Sequence, residues 1–151
     1  MKIIIASDHA GFETKKALTT LLSSRGYEIE DMGPYEYNKE DDYPDFVIPA
    51  MKTIQNSSDS LGIVICRNGI GVSMLANKFK DIRAALCFNK KQSQSSKEDD
   101  NANVLAIPSD YLSDEEIWDV VEAFLKTDFS NLDRHINRLK KVSLIEEENF
   151  K

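Results

Sequence analysis

The sequence predicts an α/β protein: a Rossmann-like three-layer α/β/α sandwich built on a five-stranded parallel sheet. Two observations carry that expectation. Short, predominantly apolar runs rich in β-branched residues recur at residues 2–6, 61–65 and 103–107, the pattern of strands buried on both faces. Segments with helical spacing lie between them, and strands alternating with helices imply right-handed parallel crossovers that cover both faces of one sheet. Ligands in such folds gather at the carboxyl ends of the strands.

Residues 2–6 are the first strand, and Ser7-Asp8-His9-Ala10-Gly11 is a turn into a helix that places Leu18, Leu21 and Leu22 on one face and ends at Arg25-Gly26. Residues 27–31 give a second strand and residues 33–42 a polar loop. Tyr43-Pro44-Asp45 opens a second helix, where a first-turn proline loses no hydrogen bond. After a Ser/Asp-rich break at 56–60 comes the central strand, Leu61-Gly62-Ile63-Val64-Ile65. Cys66 stands at its end, followed by the glycine-punctuated turn Arg67-Asn68-Gly69-Ile70-Gly71 and a third helix expected to run to about Phe79. Residues 83–87 are a fourth strand, 88–100 a polar helical segment and 103–107 the fifth strand. Ser113-Asp114-Glu115-Glu116 reads as a capping box, with Ile117, Val120, Val121, Phe124 and Leu125 as the apolar stripe behind it. A last helix from about Asp133 puts Arg134 and Arg138 on one face at i, i+4, and Glu146-Glu147-Glu148 is expected to fray as an acidic tail.

The 151 residues fit one domain, with residues 133–151 as its C-terminal helix and tail. A net charge of −7 argues against nucleic acid as a partner, because a basic surface is needed to neutralise phosphates. No segment approaches a membrane span and the start has no signal-peptide pattern, so no membrane partner is expected and the expected location is the cytoplasm. Two cysteines and two histidines far apart give neither a disulfide framework nor a metal spacing.

Cys66 is the leading chemical candidate. A free cysteine is usually a small buried hydrophobe, and Cys87, with no glycine loop after it, is read that way. Cys66 differs because loop amides and Arg67 would favour its thiolate, a base or nucleophile. Asp8 and His9 could be a helix cap beside a surface histidine. Arg134 and Arg138 could be a solvated helix face or, given a phosphate, a bidentate clamp.

Together these pieces resemble the ribose-5-phosphate isomerase type B family, which also includes galactose-6-phosphate isomerase subunits. The resemblance rests on Ser7-Asp8-His9-Ala10-Gly11, Asp42-Tyr43-Pro44-Asp45, Gly62 to Cys66 with Gly69-Ile70-Gly71, Ala76-Asn77-Lys78, Ile82-Arg83-Ala84-Ala85, Asn101-Ala102-Asn103-Val104, and Arg134-His135 with Arg138, in that order along nearly the whole chain. Members interconvert aldose and ketose phosphates without metal or cofactor. They work as homodimers or larger assemblies with sites between subunits. The resemblance therefore implies that Cys66 is the base moving a proton between two carbons, with the loop amides through Gly69, Ile70 and Gly71 stabilising the enediolate oxygen. It implies that Asp8 handles hydroxyl protons and that His9, Arg134 and Arg138 hold the phosphate with His135 close by. It also implies a homodimer or homotetramer in which the C-terminal helix reaches a partner subunit.

Arg67-Asn68 stand where the family has Gly-Thr. Asp99 and Asp100 replace its ring-opening histidine and the asparagine after it, and Asp110 replaces an arginine on the phosphate side. Asp99 could supply the acid if burial beside Asp100 raised its pKa well above about 3.9, and Arg67 could restore the charge lost at Asp110. Three functions remain open: isomerisation of ribose 5-phosphate to ribulose 5-phosphate, isomerisation of another pentose or hexose phosphate, or phosphosugar binding without ring opening. A signalling receiver domain is set aside. It would need an acceptor aspartate where Cys66 stands and a lysine where Pro108-Ser109-Asp110 stand.

Overall fold

In the computed structural model, which describes residues 1–150, five strands form one parallel sheet in the order β2-β1-β3-β5-β4. They are β1 (Lys2–Ser7), β2 (Glu28–Asp31), β3 (Ser60–Cys66), β4 (Ala84–Leu86) and β5 (Val104–Pro108). The helices are α1 (Phe12–Ser24), α2 (Tyr43–Gln55), α3 (Ile70–Ala76), α4 (Lys90–Glu98), α5 (Asp114–Lys126) and α6 (Asp133–Asn149).

Strand alternation divides the core in two. Ile3, Ile5, Ile63, Ile65, Leu105 and Ile107 face one way and meet Leu18 and Leu22 of α1 and Val120 and Phe124 of α5. Ile4, Ala6, Val64 and Ala106 face the other way, against Val47, Met51 and Ile54 of α2 and Val72 of α3. These two packed interfaces make the three layers. The chain first steps outward from β1 to β2, then returns to pair β3 on the other side of β1. The β1/β3 junction is therefore the topological switch point, where a crevice opens beyond the strand ends.

Several boundaries differ from the sequence expectation. Helix α3 stops at Ala76 rather than Phe79, because the Asn77 side chain leaves the helix to bridge β4. Its Nδ2 donates to Ser73 O and Ala84 O, and its Oδ1 accepts from Ala84 N at 2.9 Å. Strand β4 begins after Arg83, whose N–H is drawn to the Asn103 side chain at 2.8 Å. The acidic run at 146–148 does not fray: it forms the last turn of α6, and Glu146 accepts from Asp81 N at 2.9 Å. The Ser113–Glu116 capping box is formed in both directions at the start of α5. Helix α6 buries only His135 of its own residues, while Val142, Leu144 and Ile145 remain exposed.

Candidate active site

The carboxyl ends of β1, β3 and β5 converge at the switch point, and each contributes a side chain. Cys66 ends β3, pairs in register with Pro108 of β5, and is 5% exposed. Its thiol faces Asn68 Oδ1 at 3.8 Å, and the same oxygen accepts from Ile70 N at 3.0 Å. Asn68 thus ties the thiol to the first turn of α3. Among the described residues the amides of Gly69 and Gly71 meet no acceptor, so they remain available to an incoming oxygen.

Both glycines are required by geometry. Gly69 sits at φ 70°, in the left-handed region, and a Cβ there would strike Leu86 and lie 3.1 Å from Pro108 N. A Cβ on Gly71 would come within 2.8 Å of the Tyr43 ring, which covers the loop from α2. These two contacts fix the loop against β4, β5 and α2.

Cys87 is the internal contrast. It too follows a strand, but it is fully enclosed, its thiol faces Ala85 O, and burial pushes its pKa up to about 11. No glycine loop presents donors to it.

Asp8 follows β1 and is nearly buried. Its backbone N–H donates to Ile65 O at 3.3 Å, and its Oδ1 accepts from Gly11 N at 3.1 Å, which clamps the turn beside Cys66. Helix α1 starts from Gly11, so Asp8 closes the turn rather than capping the helix. His9 is half-buried, with its backbone N–H and its Nδ1 both 2.8 Å from Asp41 Oδ1. The hydrogen bond that the ring donates to Asp41 raises the His9 pKa above its ordinary 6.5, with Asp8 and Asp41 charges acting in the same direction against partial burial. On the β5 side, Ser109 Oγ lies 3.1 Å from Cys66 O and 3.3 Å from Ala10 O, joining all three strand ends. Arg67 lies 3.7 Å from Asp110 across the same loops, both exposed.

The remaining candidates form a second cluster where α4 ends and α6 begins. Asp99 is the C-cap of α4, and its half-exposed carboxylate lies 3.6 Å from His135 Nε2. Asp100, next to it, is exposed. His135 is buried; Arg134 Nε donates to its Nε2 at 3.0 Å, which leaves Nδ1 as the ring N–H, 2.7 Å from Ser130 Oγ. The imidazole therefore orients Arg134. Arg134 and Arg138 are exposed, and among the described residues neither has a carboxylate within 4.0 Å.

Cys66, Asp8, His9, Arg67, Asn68, Gly69, Ile70 and Gly71 thus meet at the switch point, whereas Asp99, Asp100, Arg134, His135 and Arg138 gather around the start of α6. Sequence reasoning missed Asp41, Tyr43 as the loop's cover, and Ser109. Asp41 lay in a stretch read as a plain polar loop, and only the fold carries that loop to His9. Among the described residues no group of three or more His, Cys, Asp or Glu side chains converges as a metal site requires, and no helix is long and apolar enough to cross a membrane.

Fold and site together define a doubly wound α/β protein with a thiol, a carboxylate and free loop amides at its switch point. Residues 3–142 match the family model described as Ribose/Galactose Isomerase. The probable ribose-5-phosphate isomerase B of Mycoplasma genitalium is 41% identical over 147 residues, covering 97% of this chain and 96% of that protein. The ribose-5-phosphate isomerase B of Mycolicibacterium paratuberculosis is 35% identical, over 92% of this chain and 87% of its own length. Among solved structures, Clostridium thermocellum ribose-5-phosphate isomerase B superposes with a TM-score of 0.94 at 38% identity, covering 99% of both chains. The Mycoplasma genitalium enzyme, solved with bound ribulose-5-phosphate, superposes with a TM-score of 0.93 at 39% identity over 97% of each chain. The chain belongs to the Ribose/Galactose Isomerase family.

Proposed function

We propose that this chain, acting as one domain, is an aldose–ketose isomerase of a phosphorylated sugar, interconverting ribose 5-phosphate and ribulose 5-phosphate in the cytoplasm without a cofactor. The observation that carries this reading is Cys66, held at the switch point beside Asp8 and two free loop amides, in a fold shared with a relative that binds ribulose-5-phosphate.

The sugar C–H beside a carbonyl is a weak acid, so the site must supply a base, a charge-stabilising cradle and a handle on the substrate. Cys66, as thiolate, takes the C2 proton of the open-chain aldose. The electrons pass to the carbonyl oxygen, and the amides of Gly69 and Gly71 hold the resulting enediolate. The thiol returns the proton to C1 while Asp8 relays the hydroxyl proton from O2 to O1. No atom is gained or lost. His9, Arg134 and Arg138 bind the phosphate; Asp99 takes the sequence position of the family's ring-opening histidine, but its carboxylate is half-exposed beside an exposed Asp100 and lacks the burial that an acid role there requires.

The two clusters act together across two copies of the chain. Among the described residues Arg134 and Arg138 have no carboxylate within 4.0 Å, and α6 leaves Leu144 65% exposed, so both the charge and the apolar surface fit a second protomer.

A coupled assay of ribose 5-phosphate against other pentose and hexose phosphates tests the reading. Turnover is expected with ribose 5-phosphate and its loss in Cys66→Ala. Tight phosphosugar binding with no turnover of any substrate would instead identify a binding module.

A further inference from the structure

We propose that Asp41 is the positioning residue for His9: its Oδ1 fixes Nδ1 as a donor and leaves Nε2 as the ring nitrogen open to the substrate's phosphate. This rests on the reading of His9 as a phosphate ligand, and it adds a residue from the loop before α2.

One carboxylate oxygen, Asp41 Oδ1, receives both the backbone N–H and the Nδ1 of His9, each at 2.8 Å. The backbone bond anchors the acceptor beside His9 and the ring bond then holds χ1 and χ2, so the imidazole cannot turn without losing its Nδ1 contact to Asp41. The Asp41 side chain is only 7% exposed, and its other oxygen, Oδ2, is buried and meets no donor among the described residues. An ionised carboxylate so enclosed is costly unless a charge faces it, and a half-filled one more so. The protonated ring of His9 is the charge that faces it.

The other groups around His9 act in the same direction or are neutral to it. Asp8, the residue immediately before His9, adds negative charge, and Tyr37 meets the ring edge-on at 6.5 Å between centroids. His9 consequently carries charge above its ordinary 6.5. With Nδ1–H committed to Asp41, Nε2–H is a charged donor suited to an anionic oxygen.

The experiment follows the two histidine rings by NMR across pH in wild type and Asp41→Asn. Two rings give two sets of ring signals, and His9→Gln assigns them. The His135 signal in the same spectrum reports that the fold is intact. In Asp41→Asn the His9 midpoint is expected to fall toward 6.5. The KM for ribose 5-phosphate should match wild type below pH ~6, where the ring is protonated in either protein, and rise about tenfold in the pH window between the two His9 midpoints, with kcat unchanged.

A merely structural aspartate would not give a KM defect that acid repairs. An unchanged His9 midpoint overturns the proposal, as does a lowered midpoint with the KM unaffected at every pH. Should wild type turn over no sugar phosphate, the isomerase reading fails separately. The Asp41 proposal is then decided by the same pH split in the dissociation constant of inorganic phosphate, read from the His9 shift.

Discussion

The two clusters of candidate residues are built by different means. At the switch point, Cys66, Asp8 and Ser109 sit on strand ends whose backbones are hydrogen-bonded to one another, and the loop from Arg67 is pinned by Gly69 against Leu86 and Pro108. At the start of α6, the groups are held by side chains on side chains: Ser130 and Arg134 on the His135 ring, with Asp99 at its edge. The first cluster lies within one chain, with Cys66 and Asp8 buried at its centre. The second presents two exposed arginines with no carboxylate within 4.0 Å among the described residues. Chemistry that needs an exact proton path belongs on the rigid scaffold, and recognition of a mobile phosphate can be left to long side chains on a helix.

The largest effect separates the cysteines. Cys66→Ala should lower kcat by about 10²–10⁴, the worth of a general base, while Cys87→Ala leaves turnover unchanged. Equal losses would break the contrast between the two strand ends.

Next, truncating Arg134 or Arg138 to alanine should raise the KM about 10- to 100-fold, the worth of a charge-assisted hydrogen bond, with a smaller change in kcat. Cys66→Ala and the double variant Arg134→Ala/Arg138→Ala should each be nearly inactive alone. Mixed and allowed to exchange, they should recover up to about a quarter of wild-type activity, since a mixed dimer restores one intact site. No recovery despite subunit exchange would place both clusters in one chain's site.

Gly69→Ala should cost about 1–3 kcal/mol of stability in denaturant unfolding, because it forces a side chain into the left-handed region against Leu86. Turnover should fall with it as the loop shifts.

The pH dependence of stability is smaller. His9 has its pKa raised in the folded state, so its contribution is fully present below 6.5 and lost as pH rises through the folded value. Thermal melts should therefore show a decline across that window that flattens in Asp41→Asn. Smallest is Ser113→Ala, which breaks the capping box of α5 far from either cluster and should cost about 1 kcal/mol with kcat intact.

Much of this was legible in the chain. The five strands, the turn after β1 and the Cys66 loop follow from apolar runs broken by glycine, because period and punctuation are local properties. Local chemistry also marked Cys66 apart from Cys87. The ends of α3 and β4 were not legible, since Asn77 and Asn103 draw backbone groups from elements distant in sequence.

What the sequence determined by itself was the kind of fold and the identities of its reactive groups: a thiol before a glycine loop, an aspartate and histidine after the first strand, and two arginines a helical turn apart. What only the tertiary structure decided was company. The return of the chain from β2 to the far side of β1 brings Asp8 beside Cys66, and the packing of the loop before α2 brings Asp41 to His9 across 32 positions. Residue types are written locally, but the hydrogen bonds that orient the candidate site residues join segments that only the folded sheet makes neighbours.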